Sequence, residues 1–275
     1  MSLADLPPLR DSLAEHGLLA KKSFGQHFLL DLNVTRKIAR LAGPLEGETV
    51  IEVGPGPGGL TRALLEAGAK VLAVEKDARF IPLLEELAAA AEGRLTIVEA
   101  DALEVDEAAL ANGPAHVVSN LPYNVGTPLL LKWLTGPWRP ASMTLMFQKE
   151  VADRIAAPPG SDAYGRLSVI TQAVYEAQVV MDLPARAFTP PPKVASAVVR
   201  LDPKPDRPST ADLAALEKVT AAAFGQRRKM LRSSLRHLGG EALCASAGID
   251  PNARAEVISV EGFFRLAAAL KSPSS

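Results

Sequence analysis

The stretch Thr49-Val-Ile-Glu-Val-Gly-Pro-Gly-Pro-Gly-Gly-Leu-Thr-Arg-Ala-Leu-Leu-Glu-Ala-Gly-Ala-Lys-Val-Leu-Ala-Val-Glu75 decides the fold. Thr49–Val53 is a short β-branched run that predicts a buried strand. A glycine-rich turn follows, then a helix over Leu60–Ala67 and a second strand over Lys70–Glu75. Two strands joined by a helix read as one unit of a parallel sheet. Downstream, Asp77 is placed to cap a helix running through Leu83, Leu84 and Leu87. Arg94–Glu99, His116–Ser119 and Ser142–Phe147 predict three more strands, and Lys149–Ala156 a helix. Ser168–Val180 and Val194–Leu201 are β-rich, and an antiparallel pair at the sheet edge is expected of them.

Asp202-Pro-Lys-Pro-Asp-Arg-Pro-Ser209 has no periodic apolar positions and reads as a linker. Beyond it the pattern predicts only helices, near Ala211–Phe224, Arg227–His237, Glu241–Ala247 and Val260–Leu270. The expected fold class is α/β. A Rossmann-like, doubly wound sheet with an N-terminal helical extension occupies residues 1–202, a proline-rich linker 203–209, and a small all-α domain 210–275. At 275 residues, 48% hydrophobic and 22% charged, the composition is globular and excludes a disordered or low-complexity chain. No apolar run reaches the ~18 residues that span a bilayer. The first residues lack the basic and apolar regions of a secretory signal, so the cytoplasm is the expected compartment. A single cysteine, Cys244, excludes an internal disulfide, and four unpaired histidines argue against a metal centre. The net charge of −1 hides an asymmetry: Ala185–Gly240 holds eleven Lys/Arg against four Asp/Glu, so a polyanion-binding face is expected there.

Gly54, Gly56 and Gly59 fit G-x-G-x-x-G between a strand and a helix, where glycines admit a ligand close to the backbone and the helix N-terminus favours an anion. Glu75 ends the second strand, where a carboxylate accepts from both ribose hydroxyls of a nucleoside. Together they predict an adenosine-containing cofactor, with a nicotinamide oxidoreductase as the reading if the glycine loop stands alone. Glu52 favours S-adenosylmethionine, because a carboxylate suits an amino group better than a pyrophosphate. Asp101, after the third strand, is an acceptor for the adenine amino group, or else a turn residue. The fourth strand ends at Asn120-Leu-Pro-Tyr123.

That tetrapeptide resembles the strand-end motif of the amino-methyltransferases that modify exocyclic nitrogens. The resemblance implies that the Asn120 side chain and the Leu121 carbonyl accept the two hydrogens of an adenine N6. The nitrogen lone pair is then free to attack a sulfonium methyl. Pro122 fixes the turn without a competing N–H, and Tyr123 stacks on the base. A target inside a duplex would have to be flipped out.

Lys21-Lys-Ser-Phe24-Gly25-Gln26-His27-Phe28-Leu29 is similar to the segment that opens the ribosomal RNA adenine dimethyltransferases, with His27 where asparagine is common. Phe147–Arg154, Tyr164–Val169, Phe188–Val194 and the tail Arg254–Phe263 match as well, so the likeness runs from about residue 21 to 271. It implies cofactor contacts from Gln26, His27 and Leu29, and from Glu52, Gly54, Gly56, Glu75, Lys76, Asp101, Ala102 and Asn120. It also implies that Phe188 stacks on the target adenine opposite Tyr123. The Phe147 segment and the tail look most like the small-subunit branch of the family. Those members dimethylate two adjacent adenosines in the 3′-terminal hairpin loop of 16S rRNA. The implied partner is therefore 16S rRNA in an immature small subunit, met by a monomer. The erythromycin-resistance type acting on 23S rRNA is the alternative within the family, and mitochondrial transcription-factor relatives are a smaller one. A non-catalytic assembly factor is the alternative outside catalysis. Arg227, Arg228, Lys229, Arg232 and Arg236 are expected on a basic helix against the RNA backbone, Arg228, Arg232 and Arg236 on one face. Lys21, Lys22, Arg186 and Lys193 extend that surface.

Overall fold

The computed structural model describes residues 2–18, 27–226 and 228–271. The chain divides into two compact units: Met1–Trp133 with Trp138–Ala152 and Gln178–Asp202, and Leu134–Pro137 with Asp153–Ala177 and Pro203–Ser275.

The first unit opens on helices α1 (Leu9–Glu15) and α2 (Leu32–Leu41). Strands β1 (Thr49–Val53) and β2 (Lys70–Glu75) flank α3 (Gly59–Glu66), and α4 (Ile81–Ala90) leads to β3 (Leu95–Glu99). After α5 (Glu107–Ala111) come β4 (His116–Asn120), α6 (Gly126–Thr135), β5 (Met143–Gln148) and α7 (Lys149–Ala156). Next along the chain are α8 (Arg166–Val174), which belongs to the second unit, and then β6 (Tyr175–Leu183) and β7 (Ser196–Pro203). The sheet order is β3-β2-β1-β4-β5-β7-β6. The first five strands are parallel, and β7 is antiparallel to β5.

Helices on both faces bury the sheet, which is why β1 reads as an unbroken apolar run: Val50 and Ile51 have no exposed surface. Each such side chain contributes about 1.5–3 kcal/mol. Asp31 caps α2 by accepting from the Asn33 N–H (2.8 Å), and Ile38 and Ala39 turn inward beside Leu60, Leu64 and Leu65 of α3. The five parallel strands all run the same way, but the order of strands along the sheet reverses between β1 and β4. A crevice therefore opens at the carboxyl ends of these strands, as it does in doubly wound sheets.

The second unit is built on α9 (Thr210–Gly225), followed by α10 (Leu231–Ser234), α11 (Gly240–Ser246) and α12 (Val260–Lys271). Ser209 and Asp212 form a capping box that starts α9 where the linker ends. In its core Tyr164 meets Phe224 edge to face and Phe224 lies tilted against Phe263, and the buried Tyr164 hydroxyl donates to the Ile258 carbonyl (2.9 Å).

Three expectations differ from this structure. Ser168–Val180 is not one strand: Arg166–Val174 is helical, and β6 starts at Tyr175. The Ser168 hydroxyl accepts from the Gly165 N–H (3.0 Å), and Val169, Ile170, Ala173 and Val174 are buried at helical spacing. Burial on one helical face overrides the β-branched propensity. Asp153–Ala177 belongs with the helical unit, not with the sheet as a division at residue 202 would have it, because α8 packs on α9 and α12. The basic run near 227–237 is not one helix. Met230 is extended and bridges Arg254, while the Leu231 and Arg232 N–H groups donate to the Ala253 (2.8 Å) and Pro251 (2.9 Å) carbonyls. These tertiary bonds take donors that a continuing helix would use, and crowded arginines add nothing in its favour. Arg228, Arg232 and Arg236 therefore do not share one helical face.

Candidate active site

A cleft of about 560 Å³ lies in the first unit at the carboxyl ends of β1, β2 and β4. Its walls include His27, Phe28, Leu29, Glu52, Gly54, Gly56, Glu75, Phe80, Asn120, Leu121, Pro122, Tyr123 and Phe188. The glycine loop and the Asn120 turn touch each other. Gly54 has φ +65°, and an added Cβ would stand 3.3 Å from Pro122 Cγ. At Gly59 the Cβ would stand 2.7 Å from the Leu29 carbonyl oxygen, so only glycine lets residue 29 cross the start of α3. The Ser119 hydroxyl donates to the Val53 carbonyl (2.6 Å) and locks the ends of β4 and β1 together.

Glu75 accepts from the Gly56 N–H (3.0 Å) and the Asp77 N–H (2.8 Å), one on each oxygen. Burial pushes its pKa up, and these N–H groups pull it back. Each oxygen keeps a free lone pair for a hydroxyl donor. Glu52 is buried more deeply. Desolvation raises its pKa to about 8, with the neighbouring Thr61 lowering it and the Glu75 charge raising it further. Among the described residues, neither Glu52 Oε2 nor Thr61 Oγ1 has a hydrogen-bond partner. Such an acid is protonated at neutral pH and ionises when a cation arrives.

At the other end of the cleft, the Tyr123 hydroxyl bonds the buried Ser196 hydroxyl (2.7 Å), which fixes the ring. His27 Nδ1 lies 2.7 Å from the Pro190 carbonyl, and its ring centroid 6.1 Å from that of Tyr123. Phe28 and Thr189 exchange backbone hydrogen bonds (3.0 and 2.9 Å), stitching residues 27–29 to the loop that carries Phe188. Phe188 is only 3% exposed; it walls the cleft and also packs in the main core.

Thus His27, Leu29, Glu52, Gly54, Gly56, Glu75, Asn120, Leu121, Pro122, Tyr123 and Phe188 converge on one cleft. Lys76, Asp101 and Ala102 do not line it. Asp101 accepts from Lys76 Nζ (2.7 Å) and the Leu103 N–H (3.0 Å), which hold its carboxyl below the usual range, and the Ala102 carbonyl accepts from Lys132. Lys193, Arg186, Arg228, Lys229, Arg232 and Arg236 are exposed. Lys21, Lys22, Gln26 and Arg227 lie outside the described residues. Sequence reasoning missed Phe28 and Phe80, whose rings meet edge to face (5.5 Å) in the cleft wall. Phe28 sat unremarked inside the quoted Lys21–Leu29 segment, while Phe80 carried no signal beyond its place after the Asp77 cap. Among the described residues, no cluster of three His, Cys, Asp or Glu suits a metal ion, and no helix is long and apolar enough to cross a membrane.

The model of the family described as "Ribosomal RNA adenine dimethylase" matches residues 17–272. The chain is 73% identical over 268 residues to Ribosomal RNA small subunit methyltransferase A of Phenylobacterium zucineum, covering 97% of this chain and 94% of that protein. To the protein of the same description in Caulobacter vibrioides it is 74% identical over 251 residues, covering 91% and 97%. Among solved structures, a dimethyladenosine transferase from Plasmodium falciparum superposes with a TM-score of 0.72 at 25% identity, over 87% of this chain and 96% of that one. The 23S rRNA methyltransferase ErmE gives 0.69 at 27% identity, over 89% and 99%.

Proposed function

The chain belongs to the ribosomal RNA adenine dimethylase family, an S-adenosylmethionine-dependent group of enzymes, and from that premise we propose its substrate and the work of each residue. The substrate is a pair of adjacent adenosines in the 3′-terminal hairpin loop of 16S rRNA, presented by an immature small subunit to a cytoplasmic monomer. The relatives at 73% and 74% identity are small-subunit enzymes, which favours this over the 23S target in the name of the more distant ErmE.

The cleft suits the cofactor. Its volume falls within the range of small-molecule sites, roughly 300–1,000 Å³. The unpartnered Glu52 oxygen fits an ammonium group, and the spare lone pairs of Glu75 fit two hydroxyls. Gly54 and Gly56 leave the floor open, and His27 and Leu29 close one side. The cofactor supplies an electrophilic methyl group on a sulfonium sulfur. Asn120 and the Leu121 carbonyl hold the adenine N6 hydrogens, so that the nitrogen lone pair is directed along the line of displacement. Tyr123, fixed through Ser196, supports one face of the base, and Phe188 the other. Catalysis rests on this positioning, and the methylated nitrogen loses its proton to water. Arg228, Lys229, Arg232, Arg236 and Lys193 contact RNA phosphates, and Asp101 reads the cofactor's adenine amino group.

The observation that carries this reading is the contact between the glycine loop and the Asn120 turn in one cleft. Labelled methyl donor, undermethylated small and large subunits, and nucleotide mapping test it. Two neighbouring dimethylated adenosines in the small subunit are expected. A single modified adenosine in 23S rRNA would give the erythromycin-resistance reading instead, and no label in either would leave an assembly-factor role.

A further inference from the structure

Lys132 sits on α6, the helix that begins just after the Asn120 turn. Its ammonium donates to the Val105 carbonyl (2.6 Å), Glu107 Oε1 (2.8 Å) and the Ala102 carbonyl (3.0 Å). Glu107 is buried, and the same oxygen also accepts from Trp133 Nε1 (2.7 Å), so two donors meet on it. One cation therefore ties together the irregular segment between β3 and α5, whose first residues carry Asp101.

Two other bonds reach Asp101 itself, from Lys76 Nζ and the Leu103 N–H. The Lys76 side chain is 76% exposed, and an ion pair so open to water fixes little. The Leu103 bond is local and turns with the loop. Lys132 is mostly covered, and it alone of the three anchors the segment to a packed helix. After Lys76 and the Leu103 N–H, its charge also helps to lower the Asp101 pKa.

We propose that Lys132 is a positioning residue for cofactor recognition, holding the Asp101 turn in register with the Asn120 turn through the rigid length of α6. The adenine end and the reacting end of the cofactor site then share one ruler. The inference rests on the reading of Asp101 as acceptor for the adenine amino group.

The probes are S-adenosylhomocysteine and its analogue lacking the 6-amino group, titrated calorimetrically into the full-length protein. A hydrogen bond to a carboxylate predicts that the wild type prefers the amino ligand by about tenfold or more. Lys132→Met alone would strand the buried Glu107 carboxylate, so the informative variant is Lys132→Met with Glu107→Gln, which keeps an acceptor for Trp133. The preference is expected to fall to about threefold or less there and to vanish in Asp101→Ala. An unchanged preference in the double variant, or equal weakening of both ligands, would overturn the role of Lys132 while leaving Asp101 its own. If Asp101→Ala keeps the full preference, the reading of Asp101 fails first and the inference falls with it.

Discussion

Replacing Glu52 by Gln should stabilise the cofactor-free protein while weakening its grip on the cofactor. The Glu52 carboxyl is 2% exposed, and its pKa of about 8 compares with about 4.5 in an unfolded chain. A folded-state pKa above the unfolded one means that the acid's contribution is intact below about pH 4.5 and is lost as the pH climbs through 8. At 1.36 kcal/mol per unit, the wild type gives up about 3 kcal/mol by pH 7 and about 5 kcal/mol above pH 8. Glutamine has no proton to lose, so the gap between variant and wild type should widen over that interval. For a protein of this size, 3 kcal/mol is roughly 6–12 °C in Tm. Thermal melts of both proteins from pH 5 to 9 read the gap directly. Binding has the opposite sign. If Glu52 pairs with the ligand's ammonium as proposed, it must ionise, so S-adenosylhomocysteine binding to the wild type at pH 7 should release up to one proton. Calorimetry in two buffers of different ionisation enthalpy detects it. The variant should release none and bind more weakly. Parallel stability curves with no proton released would mean that Glu52 is already ionised in the empty cleft, and the argument would fail.

Asn120→Ala should leave cofactor affinity within a fewfold of wild type but abolish methyl transfer. Isothermal titration and a labelled-methyl assay separate the two, and retained transfer would refute the assigned role. Gly59→Ala forces a Cβ to 2.7 Å from the Leu29 carbonyl and should cost about 1–3 kcal/mol, seen as a lower midpoint in urea; an unchanged midpoint would show that residue 29 can retreat. Arg228→Glu with Arg232→Glu should weaken RNA binding and reduce the slope of log affinity against log salt by about two. If both stay put, these arginines do not meet phosphate.

The parallel strands and the glycine turn were legible because their signals are local: β-branched runs of five or six residues, and glycines where the backbone must turn at positive φ. Glu52, Glu75 and Asn120 were legible for the same reason, since each sits at a strand end and strand ends converge in such a sheet. The helix at Arg166–Val174 was not, because Val169, Ile170, Thr171 and Val174 favour a strand until a buried face claims them. Nor was the break in the basic segment, which depends on carbonyls at residues 251 and 253. Phe80 and Lys132 were invisible for a related reason: an aromatic after a cap and a lysine on a helix look ordinary until their partners are known.

By itself, then, the sequence determined the five parallel strands, the glycine loop and the motif at the end of the fourth strand. These depend on the propensity and spacing of neighbours along the chain. Only the tertiary structure decided that the Glu52 oxygen is left without a partner and that Asp101 pairs with Lys76. It also decided that Asp153–Ala177 joins the helical unit. Hydrogen-bond satisfaction and burial are properties of groups brought together from distant positions, and no local pattern encodes them.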